Sequence, residues 1–149
     1  GSGIAPIRAM RDQGVKVGLG VDGSASNDVA NLMDEARQTM LLQRVQNGAD
    51  AMSAREALEI ASRGGADVLG RPECGRIALG KRADIAIWDI SGIESAGSWD
   101  PAALVIAGPN KVRHLFVEGR QIVRDWNMVT LDLPKLIETQ NRLALKLAC

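Results

Sequence analysis

The chain is short of almost every residue type that announces a chemistry. One histidine and two cysteines stand among 149 residues, aromatic residues make up 3%, and 18 Lys+Arg balance 18 Asp+Glu to a formal net charge of zero. Cys74 and Cys149 are too few and too far apart for a disulfide framework or a Cys-x-x-Cys metal site, so free thiols in a reducing compartment are expected. A neutral chain carries no electrostatic footprint for a polyanion, which argues against nucleic acid and anionic membranes as partners. No apolar run approaches the roughly 18 residues that a membrane span requires. The N-terminus shows no basic segment followed by an apolar stretch of the kind that marks a secretory signal, and the cytoplasm is the expected location. A Gly-rich phosphate loop, a serine nucleophile elbow, internal repeats and low-complexity segments are missing as well.

What is there alternates between helix and strand signals. Ile4, Ile7 and Met10 recur every three residues ahead of Gly14, a short helix with a glycine cap. Val15, Val17, Leu19 and Val21 then alternate with Lys16, Gly18 and Gly20, which predicts a strand whose glycine face lets another backbone come close. The polar loop Asp22–Asp28 follows, and after it a helix with Val29, Leu32, Met33, Ala36, Met40 and Val45 on one stripe. Ser53-Ala54-Arg55-Glu56 is a capping box opening a further helix, weakened at Gly64-Gly65 and stopped by Gly70 and Pro72. From Cys74 the signals turn to short strands: Arg76–Ala78, a turn at Leu79-Gly80-Lys81, Asp84–Asp89 and Ala103–Ile106. A hairpin, Val112–Val117 with Gln121–Val123, turns at Glu118-Gly119. Asp132 caps a last helix carrying Leu133, Leu136, Ile137, Leu143, Ala144 and Leu147 on one stripe.

Asp22 closes the predicted strand and is followed by a glycine and a polar loop, which is where α/β barrels place their chemistry. Its carboxylate could serve as a metal ligand, as a general base, or as both in turn; Asp-Gly after a strand is also an ordinary turn. Ser24 and Asn27 either face a pocket beside Asp22 or, with Asp28, cap the next helix. His114 lies on an alternating face with Val112 and Phe116 and reads as structural. A catalytic zinc site usually takes three protein ligands, commonly histidines, and this chain cannot supply that set. Trp88, Trp99 and Trp126 are dispersed, which fits packing in the small β domain better than base stacking.

Two segments resemble the C-terminal part of the metal-dependent amidohydrolase superfamily. Gly18–Asp28 is similar to the eighth barrel strand and following loop of its aminohydrolase branch, and Gly75–Asp89 to the passage from the barrel into the small β-sandwich. Val112–Val123 resembles the closing strands. Within that branch, Ser2–Pro6, Leu41–Val45 and Gly48–Ala51 look most like the 8-oxoguanine deaminases. The resemblance implies hydrolytic deamination of an amino-substituted heterocycle such as an 8-oxoguanine-like purine, by metal-activated water attacking the ring carbon that bears the amino group. It makes Asp22 the aspartate that contacts the metal and shuttles the proton, with Ser24 and Asn27 as candidate substrate-binding residues. One divalent metal is implied for the parent enzyme, zinc before iron, and none for this chain, because the family's His-x-His on the first strand and its later histidines have no counterpart here.

A (β/α)8 barrel takes ~250 residues. The implied fold is therefore α/β: terminal strand–helix units of an incomplete barrel (residues 1–73), a partial β-sandwich (74–131) and a C-terminal helix (132–149). On that reading the chain alone is inactive, and its exposed barrel surfaces favour a homo-oligomer. A reading from another class is a non-catalytic binding or assembly module in which Asp22 merely closes a turn.

Overall fold

Helix starts along the chain are set by short polar side chains. Ser53 accepts the Glu56 backbone N–H, and the Glu56 carboxylate accepts the Ser53 N–H in return at 2.8 Å, so the expected capping box opens α3, Ala54–Glu59. Asn31 caps α2, Leu32–Asn47, by accepting the Met33 N–H at 3.0 Å. Asp100 caps α5, Pro101–Ala107, with Pro101 in the first turn where its missing N–H is harmless. The computed structural model describes residues 3–23, 25–27, 29–108 and 111–148.

The chain folds as two compact units. The first, Gly1–Arg82 with Ile90–Pro109, is helical: α1 (Ile7–Asp12), α2, α3, a π-helical stretch Ile60–Gly64, α4 (Gly65–Val68), a 3₁₀ turn Ile93–Ser95, and α5. Its core joins Ile7 of α1, Ala36 and Met40 of α2, Met52, Ala54, Ala57, Ile60, and Ala102 and Ile106 of α5, with Val17, Leu19 and Met33 packed against it. Small alanines at 36, 57 and 102 let the helices approach closely.

Gln43 sits in this core at 1% exposure. Its amide donates to the Ala5 carbonyl at 2.9 Å and accepts the Arg8 N–H at 3.1 Å. Pro6 provides no side-chain cap for α1, so Gln43 supplies from α2 the acceptor that the first turn of α1 needs.

The second unit, Ala83–Asp89 with Asn110–Cys149, holds a four-stranded antiparallel sheet in the order β1-β2-β3-β4. Its strands are β1 (Ile85–Trp88), β2 (Val112–Val117), β3 (Arg120–Arg124) and β4 (Asn127–Met128). Ile87 pairs with His114 and Val117 with Arg120. The β2–β3 turn falls where expected, at Glu118 and Gly119, with φ of 52° and 76°. Both angles are left-handed, as a type I′ turn demands, and the unusual glutamate is held because its N–H reaches Asp84 Oδ1 at 2.7 Å. A second left-handed pair, Asp125 (φ 44°) and Trp126 (φ 65°), joins β3 to β4. Its N–H groups go to His114 Nδ1 at 3.3 Å and the Arg113 carbonyl at 3.1 Å, and the Arg113 guanidinium lies 5.2 Å from the Trp126 ring centroid. His114 Nδ1 thus serves as an acceptor within the turn. Helix α6, Leu133–Leu147, starts at Asp132 as expected, yet none of its residues is buried.

Six expectations are corrected. Ala103–Ile106 is not a strand but the body of α5, because the Asp100–Pro101 start fixes a helix whose Ala102 and Ile106 face the core. Arg76–Ala78 and Val15–Val21 pair with no strand among the described residues; alternation alone makes no strand where no neighbour offers a ladder. The α2 stripe runs through Met33, Ala36, Met40 and Gln43, leaving Val45 81% exposed, and the cap is Asn31 rather than Asn27. Trp99 belongs to the helical unit and is 95% exposed, so it packs in no β domain.

Candidate functional site

The segment that carries Asp22 is seated by glycine. Gly14, at φ 73°, ends α1 by donating to the Arg11 carbonyl, and Val15 N–H then reaches Met10 O, both at 2.9 Å. Beyond it, a Cβ on Gly18 would lie 2.8 Å from Gly65 Cα, and one on Gly64 only 2.2 Å from the Val17 carbonyl oxygen. Two backbones therefore touch where no side chain intervenes, as the glycine face of the sequence implied for Gly18; Gly20 is open. Val17 and Leu19 point to the core on the same segment. The register of this contact sets where the segment ends.

It ends at Asp22, exposed and at φ 61°, a conformation that aspartate tolerates better than most side chains. Its Oδ1 accepts the Gly23 N–H at 2.7 Å. The Gly23 carbonyl in turn accepts the Ser26 and Asn27 N–H groups, each at 2.9 Å, so the loop curls back on itself. Asn27 is half-buried and does not project free: its Nδ2 donates to the Val21 carbonyl at 2.8 Å and to Glu35 Oε1 of α2 at 2.5 Å, and its Oδ1 accepts the Val29 N–H at 3.2 Å. Asp22 and Asn27 are thus brought together through the Val21 peptide. Ser24, the third candidate, and Asp28 lie outside the described residues.

Glu35 is the residue that the sequence does not disclose. An acidic side chain in the first turn of a helix is ordinary there, and only the fold shows it reaching back to the loop.

The carboxylate of Asp22 can hold a proton or offer one oxygen to a cation. Among the described residues no three His, Cys, Asp or Glu side chains come together to hold a metal, so these residues by themselves do not fit a catalytic zinc, which needs three protein ligands. At the other end of the segment, a cavity of about 220 Å³ is lined by Arg11, Lys16, Glu59, Arg63 and Asp67 among others. Its charges are largely satisfied internally: Arg11 pairs with Glu56 at 3.2 Å and Glu59 at 3.4 Å, and Glu59 also pairs with Arg63. No helix among the described residues is long and apolar enough to cross a membrane.

Comparison with known proteins matches this architecture. The amidohydrolase family model matches residues 1–122. An 8-oxoguanine deaminase of Pseudomonas aeruginosa is 42% identical over 137 residues, which are 91% of this chain and 30% of that protein. A 5-methylthioadenosine/S-adenosylhomocysteine deaminase of Halobacterium salinarum is 39% identical over 99% of this chain and 35% of its own length. Among solved structures, a mutant of the atrazine chlorohydrolase TrzN from Arthrobacter aurescens, complexed with zinc and atraton, superposes with a TM-score of 0.88 at 38% identity, covering 95% of this chain and 32% of that one. An adenosine deaminase from Xanthomonas campestris with bound zinc gives 0.91 at 27% identity, covering 97% and 34%. The chain spans about a third of the length of the relatives it matches. It belongs to the amidohydrolase family.

Proposed function

We propose that this chain is the C-terminal third of a hydrolase that deaminates an amino-substituted purine-like heterocycle, with Asp22 carrying the proton. The observation that supports it is Asp22 itself: an exposed carboxylate at the end of a segment seated by backbone contact, in a chain whose relatives are named as deaminases. Hydrolytic deamination adds water to the ring carbon bearing the amino group, forms a C–O bond, and releases ammonia as the C–N bond breaks. One proton must leave the water and one must reach the departing nitrogen. A single carboxylate can take the first and deliver it as the second, and positioned proton transfer of this kind contributes about 10²–10⁴-fold in rate.

Residues 1–73 are, on this reading, the last strand–helix units of an incomplete barrel, the sheet within 74–131 is part of a β-sandwich, and the metal's remaining ligands come from the part of the family fold that this sequence does not include. Asp22 supplies one oxygen to that set. Ser24 is the loop's candidate contact to the heterocycle, while Asn27, its amide engaged with Val21, Glu35 and Val29, supports the loop from behind. The chain works in the cytoplasm on a small molecule, and its open barrel surfaces self-associate when the rest of the fold is missing.

The test is a chimera in which this chain replaces the matched segment of the Pseudomonas 8-oxoguanine deaminase. Ammonia release from 8-oxoguanine by the chimera, with none from the 149-residue chain alone, supports the proposal. A folded, metal-loaded chimera inactive on 8-oxoguanine and on the adenosine-type substrates of the other relatives refutes it.

A further inference from the structure

We propose that Glu35 and Asn27 are positioning residues for Asp22, forming a clamp that runs from helix α2 to the peptide immediately before the carboxylate. This inference rests on the reading of Asp22 as the proton carrier.

The clamp uses both donor hydrogens of the Asn27 amide and one acceptor site of its oxygen. Both acceptors facing Nδ2, the Val21 carbonyl at 2.8 Å and Glu35 Oε1 at 2.5 Å, are oxygens, and the group facing Oδ1 at 3.2 Å is the Val29 N–H. Turning the amide over would set its oxygen against two acceptors and its NH₂ against a donor, so this network fixes the orientation of the side chain. Helix capping does not account for it, because Asn31 already accepts the Met33 N–H at the start of α2. What Asn27 holds is the Val21 carbonyl, the oxygen of the peptide that leads into Asp22.

That matters because Asp22 is in a left-handed conformation, at φ 61°. A non-glycine residue there costs free energy relative to extended backbone, and the conformation persists only where its surroundings enforce it. On one side Gly18 and Gly64 seat the segment against the helix; on the other, the Val21 carbonyl is fixed by Asn27. Glu35 is the anchor of the second constraint. Its carboxylate makes the Asn27 contact a charge-assisted bond, and it projects from a helix whose next residue, Ala36, is fully buried. Without Glu35, Asn27 keeps the Val21 carbonyl but loses its tie to the scaffold, and the Asp22 carboxylate samples other directions.

The experiment has two readouts. In the 149-residue chain, nuclear magnetic resonance follows the Asn27 side-chain NH₂ and the backbone amides of Asp22 and Gly23. Glu35→Ala is expected to speed exchange of the Asn27 amide by about tenfold or more, as loss of one bond to a charged group implies, and to shift the Asp22 and Gly23 signals. Glu35→Gln, which still offers an acceptor oxygen, is expected to retain most of the wild-type pattern. In the chimeric deaminase, Glu35→Ala is expected to lower kcat about tenfold with KM within about twofold, and Glu35→Gln to recover most of that loss. Unchanged Asn27 exchange and unchanged Asp22 signals in Glu35→Ala overturn the clamp; a full shift of those signals with undiminished kcat, where Asp22→Asn does lower turnover, overturns its positioning role. Asp22→Asn in the same chimera separates the two ideas: undiminished turnover there sinks the role of Asp22, while the resonance data judge the clamp independently.

Discussion

Adding one methyl group at each of two adjacent glycines should produce effects of opposite sign. Gly64 and Gly65 are both helical, with φ of −58° and −59°, so alanine fits the backbone at either position. Removing glycine from a helix interior stabilises by about 1 kcal/mol. At Gly65 nothing lies within 4 Å of the new Cβ, and the full gain should appear. At Gly64 the new Cβ would sit 2.2 Å from the Val17 carbonyl oxygen. The oxygen is backbone, so the Val15–Val21 segment must retreat by about 1 Å to restore ordinary contact, and overpacking of this kind costs about 1–3 kcal/mol or more. An approach of 2.2 Å to a backbone oxygen puts that cost at the upper end, about 2–3 kcal/mol, so Gly64→Ala is expected to be net destabilising by about 1–2 kcal/mol after its helical gain. Thermal unfolding followed by circular dichroism at 222 nm reads both: for a chain of this size, Gly65→Ala should raise Tm by about 2–4 °C and Gly64→Ala should lower it by about as much or more. Equal shifts of the same sign would refute the close approach of the two backbones.

Gln43→Met keeps the volume of the buried side chain but strands the Arg8 N–H, the Ala5 carbonyl still accepting the Ile7 N–H at 2.9 Å, and should cost about 1–3 kcal/mol by chemical denaturation, the penalty of one unpaired group; a loss under 0.5 kcal/mol contradicts its capping of α1. The Glu56 carboxyl is held below its ordinary value of 4.5, first by the Ser53 backbone N–H and hydroxyl and then by Arg11. Its contribution to stability is thus complete above that ordinary value and is lost as pH falls through the lower, folded value. Urea midpoints between pH 6 and 3 should fall less steeply in Glu56→Gln than in the parent, and identical slopes would remove the capping box from the acid response. After incubation with zinc and gel filtration, the 149-residue chain should retain almost no metal; one tightly held ion per chain, lost on Asp22→Ala, would mean that a complete site lies within this sequence.

Local chemistry was legible in the sequence wherever a side chain acts on its own neighbourhood. The Ser53–Glu56 box, the Glu118-Gly119 turn, the Gly14 helix end and the Asp132 start all follow from residues a few positions apart. Elements that depend on a distant partner were not legible. Val15–Val21 has the alternation of a strand but no ladder to join among the described residues, and Ala103–Ile106 is too short and too apolar for periodicity to separate strand from helix. The turn at Asp125-Trp126 lacks the glycine that would mark it; its support comes from His114 and Arg113 on β2. The same distinction holds in the site. Asp22 stands out as a carboxylate after an apolar run, whereas the Glu35–Asn27 link spans eight residues and appears only once α2 is packed.

The most direct test of the central claim is the turnover of Asp22→Asn in the chimeric deaminase, measured as ammonia released per active site with metal content held equal to that of the parent chimera. Asparagine keeps the shape and one oxygen but cannot carry the proton. The account predicts a fall in kcat of about 10²–10⁴-fold, the range that a positioned proton carrier contributes. Turnover within about twofold of the parent would contradict it, because proton transfer at the reacting ring would then proceed without this carboxylate.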